Sequence, residues 1–115
     1  MRYLIALLML PTSLWASDFA MLEGDMPLTY DEVVTMTTRP VVEFYEGGQS
    51  RYSAGGAYSY SYEGGGTAFG TYSVAADGTI CILYRNGRDR CDRFVRSHGR
   101  LVMLTQDGQR FAIRP

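Results

Sequence analysis

The residues with the most to offer chemically fall into two groups. Six arginines crowd one stretch, at Arg85, Arg88, Arg90, Arg93, Arg96 and Arg100, and three tyrosines alternate at Tyr58, Tyr60 and Tyr62. Guanidinium groups bind carboxylate, sulfate or phosphate oxygens through paired N–H bonds, so Arg88, Arg90, Arg93 and Arg96 are candidate anion-binding residues. The same arginines also suit a solvated strand pair, partly neutralised by Asp89 and Asp92. The three tyrosines lie on one side of an alternating segment. They form either a stacking surface for a sugar or a partner, or the inward face of a strand.

Other candidate chemistries fall short. His98 is the only histidine and sits beside Gly99 in a turn, with no nucleophile or orienting acid implied by spacing. Gly55-Gly56 and Gly64-Gly65-Gly66 lack the lysine and hydroxyl residue of a phosphate-binding loop and read as turns. Acids are scattered without the pattern of a carboxylate dyad or a calcium loop. Cys81, Cys91 and His98 are too few for a structural zinc site. No catalytic, metal or cofactor site is therefore assigned. A pI near 5.7 also sets nucleic-acid binding aside.

The two cysteines gain their meaning from location. Residues 1–16 have the anatomy of an export signal: Arg2, an apolar run from Leu4 to Leu10, Pro11, and small Ala16 before a cleavage point. The apolar run is about half of the ~20 residues that a membrane helix needs, so no stable anchor is expected. Export leads to an oxidising compartment, the periplasm or the exterior, where Cys81 and Cys91 pair.

The elements that position these residues are strands. Residues 17–40 read as an arm followed by a short helix, begun by a capping box at Thr29 and Glu32 and stopped at Arg39-Pro40. Residues 41–115 read as strands: Val41–Glu46, Gln49–Ser53, Ala57–Glu63, Thr67–Val74, Thr79–Arg85, Arg90–Arg96, Arg100–Thr105 and Gln109–Ile113. Asp77-Gly78, Asn86-Gly87, His98-Gly99 and Asp107-Gly108 punctuate the later ones. This pattern predicts a single all-β domain over residues 17–115. It is an antiparallel meander of about eight short strands, closed as a small barrel or folded as a sandwich, preceded by one short N-terminal helix.

The disulfide selects one register for the hairpin around Asn86-Gly87. A two-residue turn would pair Arg85 with Arg88 and place Cys81 and Cys91 on opposite faces. A three-residue turn with Gly87 in the left-handed region pairs Tyr84 with Arg88 and sets Cys81 directly opposite Cys91, on a non-hydrogen-bonded pair. That cross-link contributes about 3 kcal/mol through loop-closure entropy. In either register the Arg90–Arg96 strand has no cleanly apolar face.

Charge is divided along the chain. From Ser17 to Ile80 nine acids face two arginines, and from Cys81 to Pro115 eight arginines face three acids; there is no lysine. The division marks either a charged partner or acidic early strands laid beside basic late ones.

The run Gly70-x-Tyr72, Asp77-Gly78-x-x-Cys81, Gly87-x-x-x-Cys91 and Gly99-x-Leu101 resembles a family of small exported bacterial β-proteins of unknown function, built on an Asp-Gly-x-x-Cys…Cys hairpin. The resemblance implies a periplasmic or secreted setting and no particular activity. The expectation is a non-enzymatic module of the cell envelope that binds a protein partner or a small anionic or sugar ligand. The alternatives are an enzyme with an unrecognised site and a structural subunit of an envelope assembly.

Overall fold

The computed structural model describes residues 19–115. The expected export signal and its expected cleavage point at Ala16 lie outside the described residues. Among the described residues the first elements are strand β1 (Asp25–Pro27) and helix α1 (Tyr30–Met36). A meander follows: β2 (Val42–Glu43), β3 (Gln49–Tyr52), β4 (Ala57–Ser61), β5 (Thr67–Val74), β6 (Ile80–Tyr84), β7 (Asp89–Ser97), β8 (Arg100–Thr105) and β9 (Arg110–Ala112). Strands β2 to β9 pair antiparallel in chain order, and β1 pairs with the far half of β7. The arm expected to be irregular thus includes a short strand. Its backbone is drawn into the ladder because β6 covers only the first half of that edge of β7.

The eight-stranded sheet curls until its ends meet. Phe44 bridges to Ile113, the Arg114 N–H donates to the Glu43 carbonyl at 2.7 Å, and the Tyr45 N–H donates to the Ala112 carbonyl at 3.1 Å. Every second residue then points inward. Val42, Phe44, Tyr52, Tyr58, Ile80, Ile82, Phe94, Met103 and Ile113 fill the interior.

Six of the seven hairpins from β2 to β9 close in the same way. The residue before a three-residue loop donates to the carbonyl four positions on, and accepts from a glycine at the third loop position. At the β6–β7 turn the Tyr84 N–H meets the Arg88 carbonyl at 2.8 Å, and the Gly87 N–H meets the Tyr84 carbonyl at 2.9 Å. Gly87 has φ +90°, a left-handed value that glycine takes without steric cost. The exception is β7–β8, where His98 and Gly99 form a two-residue turn, both at positive φ.

This turn device also trims several expected strands. The strand from Val42 ends at Glu43, and that from Ala57 ends at Ser61, because the following residues are taken up in bridges and loops. At β5 the expected limits and the observed ones coincide.

Helix α1 closes one end of the barrel. Its capping box is formed: Thr29 Oγ1 accepts from the Glu32 N–H at 3.2 Å, and Glu32 Oε1 accepts from the Thr29 N–H at 2.9 Å. Leu28, Val33 and Met36 join the core, which supplies the burial that so short a helix needs. The loops after β2, β4, β6 and β8 surround the other end, which stays open.

On the outside, the arm covers β7 and β8. Phe19 packs on Val95, Val102 and Leu104, and the Arg110 guanidinium grips the Asp25 carboxylate at 2.7 and 3.1 Å. That grip and the Leu22 N–H hold the Asp25 carboxyl well below the usual carboxylate range.

Candidate functional site at the open end of the barrel

The disulfide and the turn together decide which residues of β7 face inward. Cys81 lies opposite Cys91 with their Cα atoms 4.0 Å apart, on the outer face. Ile82 therefore pairs with Arg90 and Ile80 with Asp92, and both charged side chains share the face of two fully buried isoleucines. Charges buried among apolar groups are costly unless they are paired and hydrogen-bonded.

Here they are paired. Arg90 Nε and Nη2 approach Asp92 Oδ2 at 3.1 and 3.0 Å. Nη2 also donates to the Tyr58 hydroxyl at 3.3 Å, which lies 2.9 Å from Ser50 Oγ. The Tyr84 ring lies 5.9 Å beneath the guanidinium carbon. Nη1 makes no hydrogen bond to the described residues.

Position separates the two charges. The Asp92 side chain is 0% exposed and that of Arg90 is 28% exposed, so the carboxylate sits behind and the guanidinium in front. Burial pushes the Asp92 carboxyl up to about 6, against the pull of Arg90, with Asp107 adding to the rise. Asp92 Oδ1 accepts nothing from the described residues, which leaves half of the carboxylate without compensation from them. Burial also lifts the Tyr58 and Tyr84 hydroxyls above their ordinary value, so both stay protonated.

In front of Arg90 is a cleft of about 450 Å³, walled by Tyr62, Tyr84, Ala68 and Phe111. A smaller recess of about 130 Å³ shares Arg90, Tyr62 and Phe111 with it and adds Tyr60 and Glu46. The rim carries Arg88, Asp89, Gln106 and Asp107. Two glycines allow close approach here: Gly48 lets the Tyr60 hydroxyl lie where a Cβ would be, and Gly70 of β5, between Tyr58 and Tyr84, lets the β6 backbone at Leu83 and Tyr84 come close. A wider hollow of about 590 Å³ beside Thr29, Tyr30, Asp31 and Ala76 is an open surface dent, lined by exposed residues only.

The candidate residues read from sequence are distributed as follows. Tyr58, Tyr60 and Tyr62 face one way but grade from core to rim: Tyr58 is 2% exposed, Tyr60 half-buried and Tyr62 56% exposed. Arg90 forms the floor of the cleft and Arg88 part of its rim. Arg93 and Arg96 are elsewhere: Arg93 lies outside, 3.9 Å from Asp77, and Arg96 lies by the helix, 3.7 Å from Glu32. The arginines do not form one surface. His98 is exposed in its turn.

Asp92, Tyr84, Phe111 and Glu46 are site residues that sequence reasoning did not single out. For Asp92 the signal was present. The register that aligns the cysteines puts Arg90 and Asp92 across from Ile82 and Ile80, and two opposite charges on a core face imply an internal pair.

Among the described residues no group of three or more His, Cys, Asp or Glu side chains is placed to hold a metal ion. No helix among them is long and apolar enough to cross a membrane. No model of a known protein family matches the chain, and no curated protein or solved structure was found similar to it.

Proposed function

We propose that the protein is an exported, non-enzymatic binding module of the bacterial cell envelope that holds a small organic ligand in the mouth of its barrel. The observation that carries this reading is the aromatic cleft built over one guanidinium whose Nη1 is uncommitted. Sites for small molecules are concave and mostly apolar, with a few fixed polar groups that orient the guest. Tyr62, Tyr84 and Phe111 supply the walls, and Arg90, held from behind by Asp92 and Tyr58, supplies the fixed polar group. The buried acid sits behind Arg90, which is itself the group that borders the cleft. The setting rests on the leader-like residues 1–16, on the paired cysteines and on the resemblance of the Asp-Gly-x-x-Cys…Cys hairpin to small exported bacterial proteins.

The test is retention. The protein is expressed from its full chain, purified natively from the cell envelope and denatured, and the released small molecules are identified by mass spectrometry. Ala68→Trp, whose side chain would fill the cleft, is treated in parallel. The expected result is at least one compound released by the parent protein and absent from the variant. Identical profiles from the two proteins count against the mouth as a binding site.

A further inference from the structure

We infer that the ligand carries a single carboxylate on a flat apolar body, and that the carboxylate docks on Arg90 Nη1; this rests on the mouth being the binding site. The guanidinium has five N–H bonds. Nε–H donates to Asp92 Oδ2, and Nη2 donates to the Tyr58 hydroxyl while lying 3.0 Å from Asp92 Oδ2. Both N–H bonds of Nη1 remain, on a side chain that borders both parts of the cleft. The contacts to Asp92, Tyr58 and the Tyr84 ring fix the group before any ligand arrives, so little rotamer entropy is lost on binding.

The surrounding charges set the class of anion. Glu46, Asp89 and Asp107 border the same space, with Arg88 as the one further cation. Three carboxylates against two guanidinium groups repel a phosphate ester or a polyanion, whereas a single carboxylate can face Arg90 alone. Tyr62, Tyr84 and Phe111 offer ring faces and edges to a flat body.

Asp92 adds a dependence on pH. When it is charged it neutralises Arg90, and when it is protonated Arg90 presents its full charge to the cleft. Its carboxyl titrates near 6, while Tyr52, Tyr58 and Tyr84, which face the pair, stay neutral. A ligand carboxylate with an ordinary pKa of about 4 remains ionised through that window. Binding therefore tightens as pH falls from 7.5 to 5.5.

The experiment is calorimetric titration of the mature protein with 2-naphthoate and, separately, with 2-naphthamide, its neutral isostere, at both pH values. At pH 5.5 the acid is expected to bind about tenfold more tightly than the amide, the worth of one charged hydrogen bond. The preference is expected to shrink at pH 7.5. The double variant Arg90→Gln/Asp92→Asn, which leaves no lone buried charge, is expected to bind acid and amide alike. Ala68→Trp, which keeps the ion pair, is expected to bind neither, so the test stands even where the double variant does not fold.

Equal affinity of the parent protein for acid and amide overturns the carboxylate anchor and leaves the mouth as a site. Absence of binding by both overturns the mouth reading itself. A preference for the acid that does not change with pH supports the anchor and overturns the role of Asp92.

Discussion

Asp92 is the residue whose placement has the widest consequences, because a carboxylate behind an arginine in a barrel interior ties stability to pH. Its folded-state pKa, raised to about 6, exceeds the unfolded value of about 3.9, so the folded state binds the extra proton. The stabilisation from that proton is complete below about pH 4 and is lost as pH rises through 6. It amounts to about 3 kcal/mol, at ~1.4 kcal/mol for each pKa unit. Asp25 and Asp77 are shifted the other way, by Arg110 and by the Thr79 N–H respectively. Their stabilisation is present above pH 4 and is lost only as pH falls further, so it is constant across the Asp92 window. Urea unfolding midpoints of the parent protein are expected to fall between pH 4.5 and 7.5, whereas those of Asp92→Asn stay level. Parallel curves for the two proteins would show that Asp92 does not take up the proton.

The element scale is governed by one turn used six times. The Asn86-Gly87 signal together with two cysteines was enough to derive the three-residue loop, the position of Gly87 and the pairing of Cys81 with Cys91. Strand limits were less legible, because the same loop takes the residues that follow Glu43 and Ser61, and β-rich composition there does not distinguish strand from turn. Nor did β1 announce itself: Asp25-Met26-Pro27 has no strand pattern and pairs only because β7 outruns β6. Two glycines separate the reasons for needing glycine. At Gly87 a Cβ meets open space, so Gly87→Ala carries only the cost of positive φ, about 1 kcal/mol. At Gly70 a Cβ would stand 2.3 Å from the Leu83 carbonyl oxygen and 2.9 Å from the Tyr84 Cα. Backbone cannot yield there as a side chain could, so Gly70→Ala is expected to cost about 3 kcal/mol. Equal losses in urea melts of the two variants would contradict this account of β5.

Across the whole molecule the division of charge finds a structural use. Arg93 with Asp77, Arg96 with Glu32 and Arg110 with Asp25 each join the basic later part to the acidic earlier part. The acids involved lie in a turn, the helix and the arm, whereas cross-strand neighbours were one of the expectations. The all-β class and the short leading helix were legible from alternation, glycine spacing and the capping box. The closed end and the open end were not. They depend on the ring made by Phe44 and Ile113 and on α1 docking beneath it, contacts between residues far apart in the chain. The mouth is a product of that closure, which is why Tyr84, Phe111 and Glu46 had no local signal. The claim that the mouth is the binding site is tested most directly by NMR of protein labelled with ¹³C in its tyrosine rings, titrated with 2-naphthoate at pH 5.5. The ring resonances of Tyr60, Tyr62 and Tyr84 are expected to move together with one saturation curve, while Tyr30, the first residue of α1 at the closed end, stays in place. Movement at Tyr30 with the mouth tyrosines unmoved, or no movement at all, would contradict that claim.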